Sequence, residues 1–254
     1  MDLKGKVAII TGGGTGIGFG IAQVLAGKGA KLALVQPLAE TAQRAAAQLK
    51  QVETLAVAAD IRDPNAVQRM VDSVARHFGK IDVLVNNAAI TGMPAIAPML
   101  ECSSSQVDEI VDVNLKGTFY CSKAVAKYMV AVGTHGSIVH IASVGAYAAQ
   151  QFAILYCATK AAQVSMAQAM ALELAPYKIR VNCIAPGDIS TDTNAHTKEH
   201  IDKVGVSPEY VRATPLGHPG SPQDIGQAVA FLVSEDAGFV TGTTLKVDGG
   251  FLTY

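Results

Sequence analysis

Short apolar runs alternate along the chain with longer segments in which apolar residues recur at helical spacing. The short runs contain four to seven residues, the length of a buried strand, and turn-forming residues bound them. An alternation of strands and helices predicts a parallel sheet with helices packed on both faces. The predicted strands are residues 6–11, 30–35, 54–58, 81–85, 136–142, 179–184 and 244–247.

Helices are predicted between these strands, at residues 21–28, 38–51, 64–78, 103–132, 152–175 and 222–234. The sequence contains no repeat, low-complexity linker or change of composition, so we expect one doubly wound, seven-stranded α/β domain over residues 1–254. A polar segment at residues 188–220 has little predicted structure of its own. Because long loops of this kind often cover a binding site, we predict that it is a substrate lid.

The composition narrows the functional classes. The net charge is −1 and no basic stretch occurs, which argues against nucleic-acid binding. No run of 18 apolar residues appears and the first residues already form a strand, so we expect neither a membrane span nor a signal peptide. Four scattered cysteines without metal-ligand spacing are typical of reduced thiols, which favours a cytoplasmic protein.

A glycine-rich turn, TGGGTGIG at residues 11–18, follows the first strand and opens the first helix. Gly12, Gly16 and Gly18 lack a Cβ, so they permit a tight turn and a close approach of the backbone to a pyrophosphate. The free N–H groups at the following helix N-terminus favour an anion. This context predicts a dinucleotide site; the alternative is a turn that binds nothing.

The residue at the end of the second strand should meet the adenosine ribose of such a cofactor. An acidic side chain there binds the 2′-hydroxyl of NAD, and a basic one accepts the 2′-phosphate of NADP. This chain has the uncharged Gln36 and Pro37, and Thr15 in the glycine turn is not basic either. The absence of a cation favours NAD, although the acidic residue typical of NAD enzymes is also missing.

Tyr156 and Lys160 are four residues apart on a predicted helix and therefore share one face. A neighbouring ammonium stabilises a phenolate, and lowering the tyrosine pKa from about 10 to about 7 needs roughly 4 kcal/mol. Ser143 ends an apolar strand and could face the same pocket. This trio predicts acid–base chemistry; the alternative is a surface tyrosine beside a solvated lysine.

Further candidate polar residues lie at the ends of predicted strands or inside a predicted helix, where an apolar residue would be expected. Asp60 could cap a turn or bind an adenine amine, and Asn86 and Asn87 could hold a non-repetitive backbone. Asn114 lies inside the predicted helix 103–132, where asparagine marks a kink, holds a water, or is a tolerated polar residue.

Two histidines, His196 and His200, are also four residues apart, a spacing that can bind zinc. No third ligand is in view, so we expect no metal site. A third histidine, His140, belongs to a strand and is predicted to be structural.

Taken in order, these motifs resemble the classical short-chain dehydrogenase/reductase family over nearly the whole length. The matching positions are Thr11 to Gly18, Asp60, Asn86 to Ala89, Asn114, Ser143, Tyr156 with Lys160, and Pro186-Gly187 followed by Ile189 and Thr191. Each motif alone is weak, but the ordered set is specific. The resemblance implies a single-domain Rossmann fold, a homotetramer built from the two long helices and the C-terminal region, and hydride transfer between NAD or NADP and an alcohol or ketone.

The resemblance also implies roles for individual residues. Tyr156 would be the general acid/base, Lys160 would lower its pKa and bind the nicotinamide ribose, and Ser143 would hold the substrate oxygen. Asn114 would keep a water that links Lys160 to solvent. The implied cofactor site comprises Gly12, Gly14, Thr15, Gly16, Ile17, Gly18, Gln36, Asp60, Ile61, Asn86, Asn87, Ala88, Tyr156, Lys160, Pro186, Gly187, Ile189 and Thr191. The implied substrate site comprises Ser143, Gly145, Gln150, Tyr156 and Asp188.

The polar segment at residues 188–220 favours a small polyol, sugar or hydroxy-ketone as the substrate. An NADPH-dependent 3-oxoacyl thioester reductase is an alternative, but the start of the helix at 103–132 is acidic, whereas such reductases usually present basic residues there. A non-catalytic dinucleotide sensor is a second alternative. Sensors on this fold tend to lose a catalytic residue, and all four implied catalytic residues are present.

Overall fold

A computed structural model describes residues 1–191 and 212–254. Within these residues seven parallel strands form one sheet in the order β3-β2-β1-β4-β5-β6-β7, which confirms the predicted doubly wound α/β fold. The strands are β1 (Val7–Thr11), β2 (Lys31–Gln36), β3 (Thr54–Ala58), β4 (Val83–Asn86), β5 (Ser137–Ile141), β6 (Arg180–Pro186) and β7 (Thr244–Val247). The strand order reverses between β1 and β4, so a crevice opens there at the carboxyl ends of the strands.

Seven α-helices lie within the described ranges, and every predicted helix is present. They are α1 (Gly16–Gly27), α2 (Ala39–Ala46), α3 (Pro64–Phe78), α4 (Ser104–Val111), α5 (Thr118–Val132), α6 (Ile154–Leu174) and α7 (Pro222–Val233). None of the helices that the structure describes is both long and apolar enough to cross a membrane.

Helix α2 is shorter than the predicted segment 38–51. It ends at Ala46; the Ala47 N–H still bonds to the carbonyl four residues back, but those of Gln48 and Leu49 bond to carbonyls only three residues back. This tighter turn carries the chain back towards β3 and buries Leu49.

The predicted helix 103–132 is continuous but contains one wide turn. The Ser103 side chain caps it in a reciprocal pair with Gln106, and residues Asp112–Gly117 form a π-helix between α4 and α5. We call this segment the π turn. The π turn contains Asn114, so the helix irregularity that was one interpretation of this residue is present. A π turn inserts one extra residue into the helix and often marks a functional site.

Apolar residues alternate between two faces of the sheet, as the period of a strand requires. In β1, Val7 and Ile9 pack with α3, α5 and α6 on one face, whereas Ala8 and Ile10 pack with α1 and α7 on the other. The central strands are therefore covered on both sides, which fixes the positions of the loops at their carboxyl ends.

Candidate active site

A cleft of about 590 Å³ lies at the carboxyl ends of the strands, where the strand order reverses. It draws together loops that are far apart in the sequence. The predicted residues that line it are Gly12, Thr15, Gly16, Ile17, Gln36, Asp60, Ile61, Asn87, Ala88, Ser143, Tyr156, Lys160, Pro186, Gly187, Ile189 and Thr191. Other predicted residues are not among those lining the cleft, namely Gly14, Gly18, Asn86, Asn114, Gly145, Gln150 and Asp188.

The glycine turn forms one end of the cleft, and its compactness explains its composition. Gly12 has a positive φ of 66°, and a Cβ there would lie 2.8 Å from the Asn87 amide nitrogen. A Cβ on Gly18 would collide with the carbonyl oxygen of Gly12. The Asn87 amide donates to the carbonyls of Thr11 and Gly12, at 3.0 and 3.3 Å, and so ties the loop after β4 to this turn.

Helix α1 begins at the glycine turn with no side-chain cap and no acidic residue in its first turn. Its first N–H groups therefore remain available to an anion, which fits the pyrophosphate of a dinucleotide. Gly14 and Gly18 do not line the cleft, but both shape the turn: a Cβ on Gly14 would lie 2.7 Å from the Gln36 amide nitrogen.

At the end of the cleft near Gln36, Asp60 is paired with Arg62, a lining residue that sequence reasoning missed. The Arg62 guanidinium donates to both carboxylate oxygens, at 2.7–3.0 Å, and hydrogen bonding from Arg62 lowers the pKa of Asp60. The Asp60 carboxylate also accepts from the Arg62 backbone N–H at 2.9 Å. It therefore caps the turn after β3, which is one of the two interpretations of Asp60 given by the sequence. A basic residue two positions after a strand-ending aspartate was the available signal.

Three hydroxyl groups meet at the opposite end of the cleft. Ser143 and Thr91 lie beside the Tyr156 phenol, close enough for hydrogen bonding to affect its pKa, and sequence reasoning missed Thr91. The N–H of Gly145 donates to Ser143 Oγ at 3.0 Å and fixes the rotamer of the serine. Burial raises the pKa of the Tyr156 phenol, while both hydrogen bonds act in the lowering direction. The net direction is upward.

Lys160 lies beside the Tyr156 ring, as the four-residue spacing predicts, but its hydrogen bonds are made to other groups. Its ammonium donates to the carbonyl of Ile141 at 2.7 Å and to the Gln163 side-chain oxygen at 3.2 Å, and lies 5.7 Å from the centre of the Tyr156 ring. A buried ammonium needs hydrogen-bond acceptors, and these two oxygens hold it below the phenol. Burial also lowers the pKa of Lys160 itself to about 8.

Asn114 is fully buried and binds protein groups at both ends of its amide. Its oxygen accepts from the Ile90 N–H at 2.7 Å, and its nitrogen donates to the Ile90 carbonyl at 3.1 Å and to Thr159 at 3.3 Å. The side chain therefore anchors the loop after β4, which lines the cleft at Ile90.

The backbone carbonyl of Asn114 accepts two hydrogen bonds, from Thr118 Oγ1 at 2.8 Å and from Gln163 Nε2 at 2.7 Å. A carbonyl oxygen has two lone pairs, so both are engaged by side chains. The predicted water that would link Lys160 to solvent through Asn114 stays a prediction.

Asn86 was predicted beside the adenosine but faces away from the cleft. Its amide nitrogen donates to Ser122 on α5 at 2.8 Å, and its buried amide oxygen has no hydrogen-bond partner among the described residues. The adjacent His140 is also buried, between Ser122 and the carbonyl of Gln163. Burial lowers the pKa of His140 to about 4, which agrees with the structural role predicted for it.

Only some of the predicted substrate residues line the cleft. Gly145 is buried behind Ser143, and Gln150 is exposed with its side-chain oxygen close to Gly145. Asp188 is exposed, and its carbonyl accepts from the Gly220 N–H at 2.9 Å. Ser190 in turn donates to the Gly220 carbonyl at 2.8 Å, so the two ends of the predicted lid are joined.

The rest of the predicted lid, with His196 and His200, lies outside the described residues. Over residues 1–191 and 212–254, no three histidine, cysteine or carboxylate side chains cluster in a way that could hold a metal ion.

The family comparison covers nearly the whole chain. A family model described as enoyl-(acyl carrier protein) reductase matches residues 12–252. Galactitol 2-dehydrogenase from Agrobacterium fabrum is 36% identical over 98% of both chains. The crystal structure of a short-chain type dehydrogenase/reductase from Mycobacterium marinum has a TM-score of 0.91 at 32% identity, over 100% of this chain and 98% of that one. The structure of NAD⁺-bound xylitol dehydrogenase has a TM-score of 0.90 at 33% identity, over 98% and 100% of the two chains.

The chain therefore belongs to the short-chain dehydrogenase/reductase family. It is an oxidoreductase that uses a nicotinamide dinucleotide and acts on CH–OH groups.

Proposed function

We propose that this protein is an NAD-dependent dehydrogenase of a small polyol or sugar, and that Tyr156 moves the proton. The observation that carries the proposal is the meeting of the Tyr156, Ser143 and Thr91 hydroxyls in the cleft. Three hydroxyls at one point suit an oxygen-rich substrate better than an apolar one, because each can donate or accept. The galactitol and xylitol dehydrogenases that resemble the chain support this substrate class.

The residues divide the chemistry between them. A bound nicotinamide nucleotide supplies the hydride acceptor for oxidation and the hydride donor for reduction. In oxidation the Tyr156 phenolate takes the proton from the substrate hydroxyl, and Ser143 donates a hydrogen bond to the substrate oxygen. The nearby Lys160 ammonium favours the phenolate electrostatically. An ammonium has three donors, and Lys160 uses two of them within the described residues, so the third is available to a ligand in the cleft.

The charges near Gln36 support NAD rather than NADP. Arg62 is the cation among the described lining residues at this end of the cleft, and Asp60 holds its guanidinium. The neighbouring Glu109 and Asp112 add further negative charge around it. A 2′-phosphate would have to compete with these carboxylates for Arg62, whereas the 2′-hydroxyl of NAD would not.

The test is a Tyr156→Phe variant combined with a cofactor and substrate panel. We expect wild-type protein to bind NADH at least about tenfold more tightly than NADPH and to oxidise polyols in preference to long apolar alcohols. Tyr156→Phe should retain NADH affinity but lose about 10²–10⁴-fold of kcat, because it lacks the proton-transferring hydroxyl. Tyr147→Phe, which makes the same change at an exposed tyrosine, is the matched control.

Other results would select another function. Substantial residual turnover by Tyr156→Phe would contradict the role of the phenol. NADPH preference together with reduction of 3-oxoacyl thioesters would favour the acyl reductase, with which the description of the matching family model is consistent. Tight NADH binding without turnover of any alcohol or ketone would favour a dinucleotide sensor.

We also propose that the protein is a homotetramer. Helices α5 and α6 carry exposed apolar residues, among them Phe119, Ile154 and Leu172. Leu172 is 80% exposed, and exposed apolar side chains on these two helices are candidates for burial against a partner subunit.

A further inference from the structure

We propose that Gln163 is a positioning residue: its side-chain amide joins the Lys160 ammonium to the Asn114 carbonyl and holds Lys160 in the cleft as the charged species. The inference rests on the proposed function, in which Lys160 acts on Tyr156. It goes beyond that function because it assigns a role to a residue that no motif includes.

The geometry of the amide carries the proposal. Gln163 is 99% buried, and its oxygen accepts from Lys160 Nζ at 3.2 Å. Its nitrogen donates to the Asn114 carbonyl at 2.7 Å and to Thr118 Oγ1 at 2.9 Å. Every polar atom of the side chain is therefore engaged, and the orientation of the amide is fixed, because a flipped amide would place N–H groups against the ammonium.

The bridge has a chemical consequence for proton movement. An amide nitrogen donates but does not readily exchange its proton along a chain, whereas a water both donates and accepts. The Asn114 carbonyl is filled by Gln163 and Thr118. Gln163 therefore stabilises the ammonium as a hydrogen-bond acceptor and does not itself relay its proton.

Lys160 depends on this support because the surrounding groups supply little compensating charge. The ionisable groups facing it within the described residues are Tyr156 on its own helix, His140 on β5 and Cys183 on β6. Burial keeps both His140 and Cys183 neutral, since it lowers the pKa of the histidine to about 4 and raises that of the thiol to about 11. Asn114 and Thr118, to which the Gln163 amide donates, have no ionisable side chain. The ammonium is therefore held chiefly by the oxygens of Gln163 and Ile141.

The first experiment requires no turnover. Gln163→Met removes the acceptor at similar volume, and loss of a hydrogen bond to a charged group should lower the Lys160 pKa by about one unit or more. We then compare the unfolding constant of the variant, divided by that of wild type, across the pH range. As pH rises from about 6.5 to about 9.5 and Lys160 loses its charge in both folded proteins, this ratio should fall in total about tenfold for each unit by which the Lys160 pKa is lowered. Urea unfolding of the cofactor-free proteins at one concentration measures this ratio.

Ser122→Ala is the matched control, because it removes another buried hydrogen-bonding group beside His140 without touching the bridge. Its ratio should stay constant over the same pH range. A constant ratio for Gln163→Met as well would overturn the proposal and leave Gln163 a packing residue.

The second experiment uses NADH-dependent reduction of dihydroxyacetone, a hydroxylated ketone. Reduction needs the protonated Tyr156–Lys160 pair, so kcat/KM falls at high pH when the pair loses its first proton. In Gln163→Met this falling limb should move about one pH unit lower. Gln163→Glu keeps an oxygen facing Lys160 and adds a negative charge, so its limb should move higher.

These opposite shifts distinguish positioning from a purely structural role, which would lower kcat or stability in both variants without moving the limb. If Gln163→Met does not fold, the upward shift in Gln163→Glu remains decisive, and an unshifted limb there contradicts the proposal. If wild-type protein reduces no ketone, the proposed function fails, and the unfolding experiment still decides the role of Gln163.

Discussion

Replacing Asn114 by alanine tests whether the π turn holds the cleft in shape. The variant would remove two hydrogen bonds to the backbone of Ile90 and one to Thr159. At about 1 kcal/mol each, the loss of stability is roughly 3 kcal/mol, a large part of the 5–15 kcal/mol that is typical of a domain. Because Ile90 lines the cleft, we also expect the NADH dissociation constant to rise about tenfold.

Asn182→Ala is the matched control. Asn182 is also fully buried, and its amide likewise ties a loop to the sheet, through the Val240 carbonyl at 2.9 Å and the Thr243 N–H at 3.2 Å. Its two bonds predict a loss of roughly 2 kcal/mol. Neither of its loop partners lines the cleft, so NADH affinity should be unchanged.

Two measurements separate the variants. Urea unfolding followed by circular dichroism gives stability, and NADH fluorescence gives affinity in a chain that contains no tryptophan. If both variants lose stability and both bind NADH as tightly as wild type, the argument that Asn114 positions the cofactor loop is refuted. Equal weakening of NADH binding by the two variants would refute it as well, because the effect would then follow stability alone.

Two further predictions concern the glycine turn and the assembly. Gly18→Ala should weaken NADH binding at least about tenfold in a fluorescence titration, because its Cβ would displace the Gly12 carbonyl; unchanged affinity would mean that the turn relaxes without cost. Light scattering should give the mass of a tetramer, and changing Phe119, Ile154 and Leu172 together to serine should reduce it; a wild-type monomer would refute the assembly.

The fold was readable from the sequence because each strand and helix carries its own local signal. Pro64 to Phe78 is predicted and observed with the same ends, since Asp63 caps its start and Gly79 takes the left-handed conformation at its end. The segment after Ala46 was misjudged because its alanines and glutamines favour helix wherever tertiary packing permits. There, burial of Leu49 against the sheet determined the backbone conformation instead.

Residues of the site could be predicted from the sequence only where their types recur at a characteristic separation. Residue type and separation identify Tyr156, Lys160 and the glycine turn, and the structure brings them to one cleft. Thr91 and Gln163 carry no such signal, since a threonine after a strand and a glutamine in a helix are common residues. Only the packing of distant elements brings Thr91 to the phenol and Gln163 to the ammonium.

The hydrogen-bond partners of Lys160 could not be predicted for a related reason. Spacing along a helix places Lys160 on the same face as Tyr156, but it does not say which oxygens the ammonium will meet. In the fold, the Ile141 carbonyl and the Gln163 amide are nearer to the ammonium than the tyrosine ring is. Desolvation, which depends on the three-dimensional packing, then sets the direction of both pKa shifts: upward for the phenol and downward for the ammonium.

These groups belong to a buried polar layer that runs beneath the cleft between the sheet and helices α5 and α6. Its members are Asn86, Asn114, Thr118, Ser122, His140, Thr159, Lys160 and Gln163. Such a layer stabilises the fold less than apolar packing would, and one of its acceptors, the Asn86 oxygen, has no hydrogen-bond partner in the part of the chain that the structure describes. What the layer provides is a fixed orientation, because each amide and hydroxyl limits the choices of the next. These hydrogen bonds therefore determine where the one ammonium among these eight residues lies relative to the phenol.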